Sequence, residues 1–170
     1  MEGDFQIRLA AKEDTNDVIA FLKKIAQWME NNKINQWQYL LSGGDDEEIK
    51  EAILHKETFI LLKEDNVIGT FTVSSRQSEW DHHVFGFDFN SESLYLHRLA
   101  ISPENMGKGL GKEIIDWIHK NVKTEKKYIK LDCVAHNRKL NQFYKDNGFE
   151  YIGEKDQHSK YQKPFTNQIT

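Results

Sequence analysis

Apolar and polar positions follow two rhythms along the chain. A period of two sets Phe5, Ile7 and Leu9 against Gln6 and Arg8 and predicts a short, half-buried strand. A helical period follows in Val18, Phe21, Leu22, Ile25 and Trp28 and predicts a helix to about residue 30. Asp14, Thr15, Asn16 and Asp17 offer caps for it, and Asn31-Asn32-Lys33 breaks it. Trp37, Tyr39, Leu40 and Leu41 form a small apolar cluster closed by Ser42-Gly43-Gly44. A second helix is predicted over 47–55, capped by Asp45 or Asp46, with Ile49, Ala52 and Ile53 facing inward. The runs 58–63 and 67–74 are rich in β-formers and flank Asp65-Asn66, which reads as a hairpin.

The second half keeps the same vocabulary. Residues 75–93 form a long polar connection, and a connection of that length in a compact domain is usually functional or mobile. A strand is predicted over 94–101, closed by Ser102-Pro103. A helix then runs from about 109 to 123 with Leu110, Ile114, Ile115, Trp117 and Ile118 on its buried side. Another strand covers 128–134, and a helix covers 137–147 with Leu140, Phe143 and Tyr144 at its apolar positions and Gly148 as its C-cap. Residues 149–152 and 161–163 can close the sheet as an antiparallel pair. The expected class is α+β with a mixed central sheet. It is antiparallel at the early hairpin and parallel where the two later strands are each followed by a helix.

Composition narrows the setting. At 170 residues the chain fits one domain, 1–170, with room for a sizeable core. Hydrophobic residues are 38% and charged residues 29%, which excludes a disordered or membrane-embedded class. No apolar run approaches the roughly 20 residues that span a bilayer. Met1-Glu2-Gly3-Asp4 is acidic and shows no signal-peptide core. A single cysteine, Cys133, excludes an internal disulfide and suits a reducing cytoplasm. The net charge of -4 argues against nucleic acid as the main partner.

Chemistry concentrates in Met106-Gly107-Lys108-Gly109-Leu110-Gly111-Lys112, three alternating glycines between a strand and an amphipathic helix. A helix start presents unpaired N–H groups and the positive end of the dipole, and so binds anions, phosphate above all. Glycine tolerates positive φ and lets a ligand approach the backbone. Two better-known phosphate motifs fail here. Gly111-Lys112 is followed by Glu113 and preceded five residues earlier by Met106, which is no P-loop. Counting from Gly107, a dinucleotide fingerprint needs glycine where Lys112 stands.

A third pattern fits. Residues 94–118 resemble motif A of the GNAT N-acetyltransferases, in which Arg or Gln, two residues, Gly, one residue and Gly or Ala join the fourth strand to the third helix. Gly109 and Gly111 hold the small positions, and Met106 departs from the Arg or Gln. A second stretch, Asn137-Arg138-Lys139-Leu140-Asn141-Gln142-Phe143-Tyr144-Lys145-Asp146-Asn147-Gly148-Phe149, is similar to motif B. Asn137 and Tyr144 are seven residues apart and so share one helix face.

The resemblance implies an α/β/α sandwich with six to seven strands, splayed at the cofactor site, and about four helices. It implies an acetyl-CoA-dependent N-acetyltransferase that acts on a primary amine by direct transfer. Backbone N–H groups of the turn 106–112 would hold the coenzyme A pyrophosphate. The pantetheine arm would enter between the strands 94–101 and 128–134, with Asn137 alongside. N–H groups near Leu99 and Ile101 would stabilise the oxyanion. Tyr144 would protonate the departing thiolate, a role its phenol suits. His97 lies where the arylalkylamine type places an active-site histidine, and would act as base or hold a water. Tyr95 is a further polar candidate.

Plainer alternatives stand beside these roles. Asn137 is also a natural N-cap, His97 could be a satisfied core histidine, and Cys133 reads as a buried strand residue. Glu79, Asp81, His82, His83, Asp88 and Glu92 suit a polar lid over the amine, walled by Trp80, Phe85, Phe87 and Phe89. No metal is expected, since no ligand spacing repeats. Lys120, Lys123, Lys126, Lys127 and Lys130 read as a solvated face. The rival from another class is a non-catalytic acyl-CoA-binding module on the same fold. The acceptor amine and the oligomeric state, a homodimer among the options, stay open.

Overall fold

The computed structural model describes residues 5–34 and 36–165. It holds a seven-stranded mixed sheet in the order β1-β2-β3-β4-β5-β7-β6. Its elements are β1 (Phe5–Leu9), α1 (Thr15–Asn31), α2 (Gln38–Leu41), α3 (Asp46–Leu54), β2 (Thr58–Lys63), β3 (Asn66–Ser74), α4 (Glu79–Phe85), β4 (Ser93–Ile101), α5 (Leu110–Asn121), β5 (Tyr128–Val134), α6 (Arg138–Asp146), β6 (Glu150–Lys155) and β7 (His158–Pro164). Six α-helices among the described residues exceed the four expected; the additions are the short α2 and α4. Two compact units divide the chain, one of Met1–Thr72 with Arg98–Gly111, the other of Val73–His97 with Lys112–Thr170. No described helix is long and apolar enough to cross a membrane.

In the first unit, the inward stripes of α1 and α3 meet β2. Val18, Phe21, Leu22, Ile25, Ile49, Ile53 and Ile60 are buried together with Leu40 and Ala100. Each such side chain contributes about 1.5–3 kcal/mol on leaving water. The hairpin turns at Glu64-Asp65, both left-handed at φ 51° and 65°, because Lys63 pairs with Asn66. That is the geometry a two-residue hairpin requires, and it places the turn one residue earlier than expected. Two expected caps are engaged elsewhere. Asp14 makes no cap bond to α1; its carboxylate takes the Ala11 N–H and the Arg8 guanidinium. Asp45 makes no cap bond to α3 and pairs with Arg98 at 3.3 Å.

In the second unit, β4 runs parallel to β5 over three pairs, Ser93–Tyr128, Leu94–Ile129 and Tyr95–Lys130. β5 is held antiparallel to β7 over seven pairs, from Tyr128–Pro164 to Val134–His158. β4 contains a non-glycine residue with positive φ, Arg98 at 50°. A left-handed residue inside a strand costs roughly 1–3 kcal/mol and marks the kind of irregularity that re-aims side chains near active sites. The connection 75–93 is a further correction. Its middle is α4, whose Asp81 and Val84 are buried.

Candidate active site

The first unit carries the glycine turn. Ser102 and Pro103 open a short 3-10 turn, Pro103–Asn105, and the Asn105 amide donates to Ser102 Oγ at 2.8 Å. Gly107 and Gly109 follow at φ 76° and 80°. A Cβ added at either would meet no atom within 4 Å. These glycines thus answer a backbone need and leave open space beside the start of α5. Met106 is 39% exposed, while Leu110 is buried and anchors the helix. Lys108 Nζ reaches Asn105 Oδ1 at 3.5 Å. Lys112 pairs with Asp116 at 3.0 Å on the exposed face of α5. Leu99 and Ile101 lie half-buried on β4.

The second unit carries the candidate titratable side chains. Ser78 caps α4: its Oγ accepts the Asp81 N–H at 3.1 Å, and Asp81 Oδ2 accepts the Ser78 N–H at 2.9 Å. The same Asp81 oxygen lies 3.0 Å from His97 Nε2. The Asp81 side chain has no exposure and that of His97 has 16%. Asp81 Oδ1 has no hydrogen-bond partner among the described residues. Asp132 on β5 accepts the Trp80 indole N–H at 3.0 Å. Burial lifts the Asp132 carboxyl above its ordinary range, opposed first by the Trp80 hydrogen bond and by the charges of His158 and His97, and reinforced by Asp81.

Tyr144 on α6 is buried among Phe143, Phe149 and Tyr161, with ring centroids 5.2, 5.6 and 5.9 Å away. Burial first, then the neighbouring Cys133 and Asp132, push its phenol well above the ordinary tyrosine value. Its hydroxyl makes no side-chain hydrogen bond among the described residues, whereas Tyr161 donates to Asn141 and Tyr95 shares a bond with Ser91. A buried tyrosine normally finds a partner, so Tyr144 keeps a donor in reserve. Asn137 caps α6 by accepting the Leu140 N–H at 3.1 Å. Cys133 is buried, which raises its thiol to about 12 and removes it as a nucleophile at neutral pH.

The remaining candidates divide. Tyr95 is a fully buried core residue against Phe85. His83 pairs with Asp156 and His82 meets the Phe87 ring edge-on, and no metal-holding group of three ligands occurs among the described residues. The lysine run is not one solvated face. Lys126 donates to the Ser91 carbonyl and Lys130 lies over the Phe85 ring. A cavity of 410 Å³ lined by Asp116, His119, Lys120, Gly148, Lys163 and Pro164 includes none of the candidate residues. Sequence reasoning did not find the buried Asp81–His97 contact or the Trp80–Asp132 hydrogen bond. Ser78-x-x-Asp81 has capping-box spacing and could have located α4.

Comparison with known proteins follows this geometry. The family model of the acetyltransferase (GNAT) domain matches residues 55–151. The chain is 35% identical over 145 residues to the uncharacterized N-acetyltransferase YesJ of Bacillus subtilis (strain 168), covering 85% of this chain and 81% of that protein. It resembles the crystal structure of a GNAT-family acetyltransferase from Listeria monocytogenes 4b F2365, with a TM-score of 0.78, 28% identity and 94% of each chain covered. The fold also matches the PaiA N-acetyltransferase of Thermoplasma acidophilum, solved in complex with coenzyme A, with a TM-score of 0.71 at 18% identity over 96% of this chain and 100% of that one.

Proposed function

From the premise that this chain belongs to the GNAT acetyltransferase family, we propose that it is an acetyl-CoA-dependent N-acetyltransferase that moves the acetyl group directly to a primary amine. The observation that carries this reading is the pair of left-handed glycines, Gly107 and Gly109, with open space beside them at the start of α5. Such a turn fits a pyrophosphate: unpaired N–H groups and the helix dipole supply the attraction, and the missing side chains supply the room. Lys108 and Lys112 add positive charge there. Met106 contributes backbone alone.

The coenzyme A thioester supplies the activated acetyl group. The residues of the chain supply position and proton transfer. Asn137 lies alongside the pantetheine arm while its oxygen caps α6. N–H groups of Leu99 and Ile101 steady the oxyanion that develops on the carbonyl. His97 takes the proton that an ammonium must lose before it can attack, since most alkylamines are protonated at pH 7. Tyr144 gives its proton to the departing thiolate. Its raised pKa keeps the phenol protonated across the neutral and mildly alkaline range.

The test is thiol release from acetyl-CoA across a panel of alkylamines, diamines, amino acids and lysine peptides. Release that depends on the added amine is the expected result. Acetyl-CoA binding without amine-dependent release would leave a non-catalytic acyl-CoA-binding module.

A further inference from the structure

Two carboxylates of the second unit have no lysine or arginine partner among the described residues. Asp81 is wholly buried, its Oδ2 is shared between the Ser78 N–H and His97, and its Oδ1 has no partner among the described residues. Asp132 is half-buried on β5 and receives one hydrogen bond, from the indole of Trp80. No described Lys or Arg pairs with either. The ammonium of Lys130, two residues along the same strand, lies 5.6 Å from the Phe85 ring centroid instead. A buried carboxylate oxygen without a donor is costly, and two such acids in one neighbourhood repel. Burial first, and the charge of Asp81 after it, raise the Asp132 carboxyl above its ordinary range, and a cation beside it would relieve both. Trp80 adds an aromatic surface, 37% exposed and flanked by the rings of His83 and His158.

We infer that Asp132, Trp80 and the Asp81–His97 pair form the acceptor site for a small aliphatic amine in its ammonium form. This rests on the acetyltransferase reading above. Asp132 holds the ammonium, and the indole of Trp80 packs on the methylene chain and adds cation–π attraction. Asp81 is a positioning residue. It accepts the Nε2–H of His97, fixes that tautomer, and leaves the Nδ1 lone pair as the proton acceptor. One proton passes from the ammonium to Nδ1, giving a neutral amine and an imidazolium that Asp81 stabilises. A merely structural Asp81 would serve only the cap of α4, and Ser78→Ala weakens that cap by removing its hydroxyl bond without touching His97.

The probes are 1,4-diaminobutane and hexylamine, read by tryptophan fluorescence for binding and by thiol release for turnover. Asp132→Asn should weaken diamine binding and raise its KM roughly 10-fold or more, as loss of an ion pair of about 1.4 kcal/mol would, with kcat and the acetyl-CoA KM within about threefold. Asp81→Asn should lower kcat roughly 10–100-fold while the amine KM holds, toward the range expected for a crippled general base. Ser78→Ala should lower the melting temperature yet keep both kinetic constants. Absent diamine binding to the unaltered protein, or an Asp132→Asn variant that binds it equally, would overturn the site. An Asp81→Asn effect matched by Ser78→Ala would overturn the positioning role. Diamine binding without any turnover would support the site and sink the transferase reading instead.

Discussion

Gly109→Glu is expected to abolish acetyl-CoA binding in a protein that still folds. Gly109 stands at φ 80° just before α5, and a Cβ there meets no atom within 4 Å. Any L-residue pays the left-handed backbone cost, about 1–2 kcal/mol, but its Cβ meets no clash. Gly109→Ala carries that cost without charge and is the control. The added carboxylate of Glu stands where a pyrophosphate would lie. Two such charges about 4 Å apart at an effective dielectric near 20 repel by about 4 kcal/mol, which is roughly 1000-fold in affinity. Calorimetric titration of acetyl-CoA, with circular dichroism to show the fold intact, measures the difference. Equal affinity in the Ala and Glu variants would remove the turn from cofactor binding.

Tyr144→Phe should lower kcat by roughly 10²–10⁴-fold, the range for loss of a positioned general acid, with acetyl-CoA affinity nearly unchanged. The substitution deletes one hydroxyl that makes no hydrogen bond among the described side chains, so the ring cluster with Phe143, Phe149 and Tyr161 survives. Melting temperature should therefore stay close to that of the unaltered protein. The sign of the pH effect follows from the direction of the shift. A phenol raised above its ordinary value of about 10 remains protonated as pH climbs past neutrality, so its donor is not lost by ionisation there. An unaltered kcat would leave the residue a packing tyrosine.

How far the structure was legible in the sequence depends on the range of the forces involved. The strands Phe5–Leu9 and Thr58–Lys63 and the inward faces of α1 and α3 were legible because periodicity is local. The glycine turn was legible because positive φ has a residue-type signature. The left-handed Arg98 had no such signature. Asp14 and Asp45 looked like caps, yet ion pairs with Arg8 and Arg98 recruit them, and tertiary partners outweigh a local cap. Helix α4 was hidden because Glu79, Asp81, His82 and His83 break the apolar stripe. Asp81 is buried against the chain's own charge pattern because His97, sixteen residues away, bonds to it. Contacts of that kind belong to the fold alone.

The central claim is direct transfer of the acetyl group from coenzyme A to an amine, and a single-turnover experiment tests it most closely. Enzyme in excess is mixed with acetyl-CoA labelled in the acetyl group and with the best amine of the panel, then quenched over milliseconds to seconds. The account predicts labelled amide appearing at the same rate as free coenzyme A thiol, with the protein unlabelled throughout. Label accumulating on the protein before the amide forms, or thiol release indifferent to the amine, would contradict it.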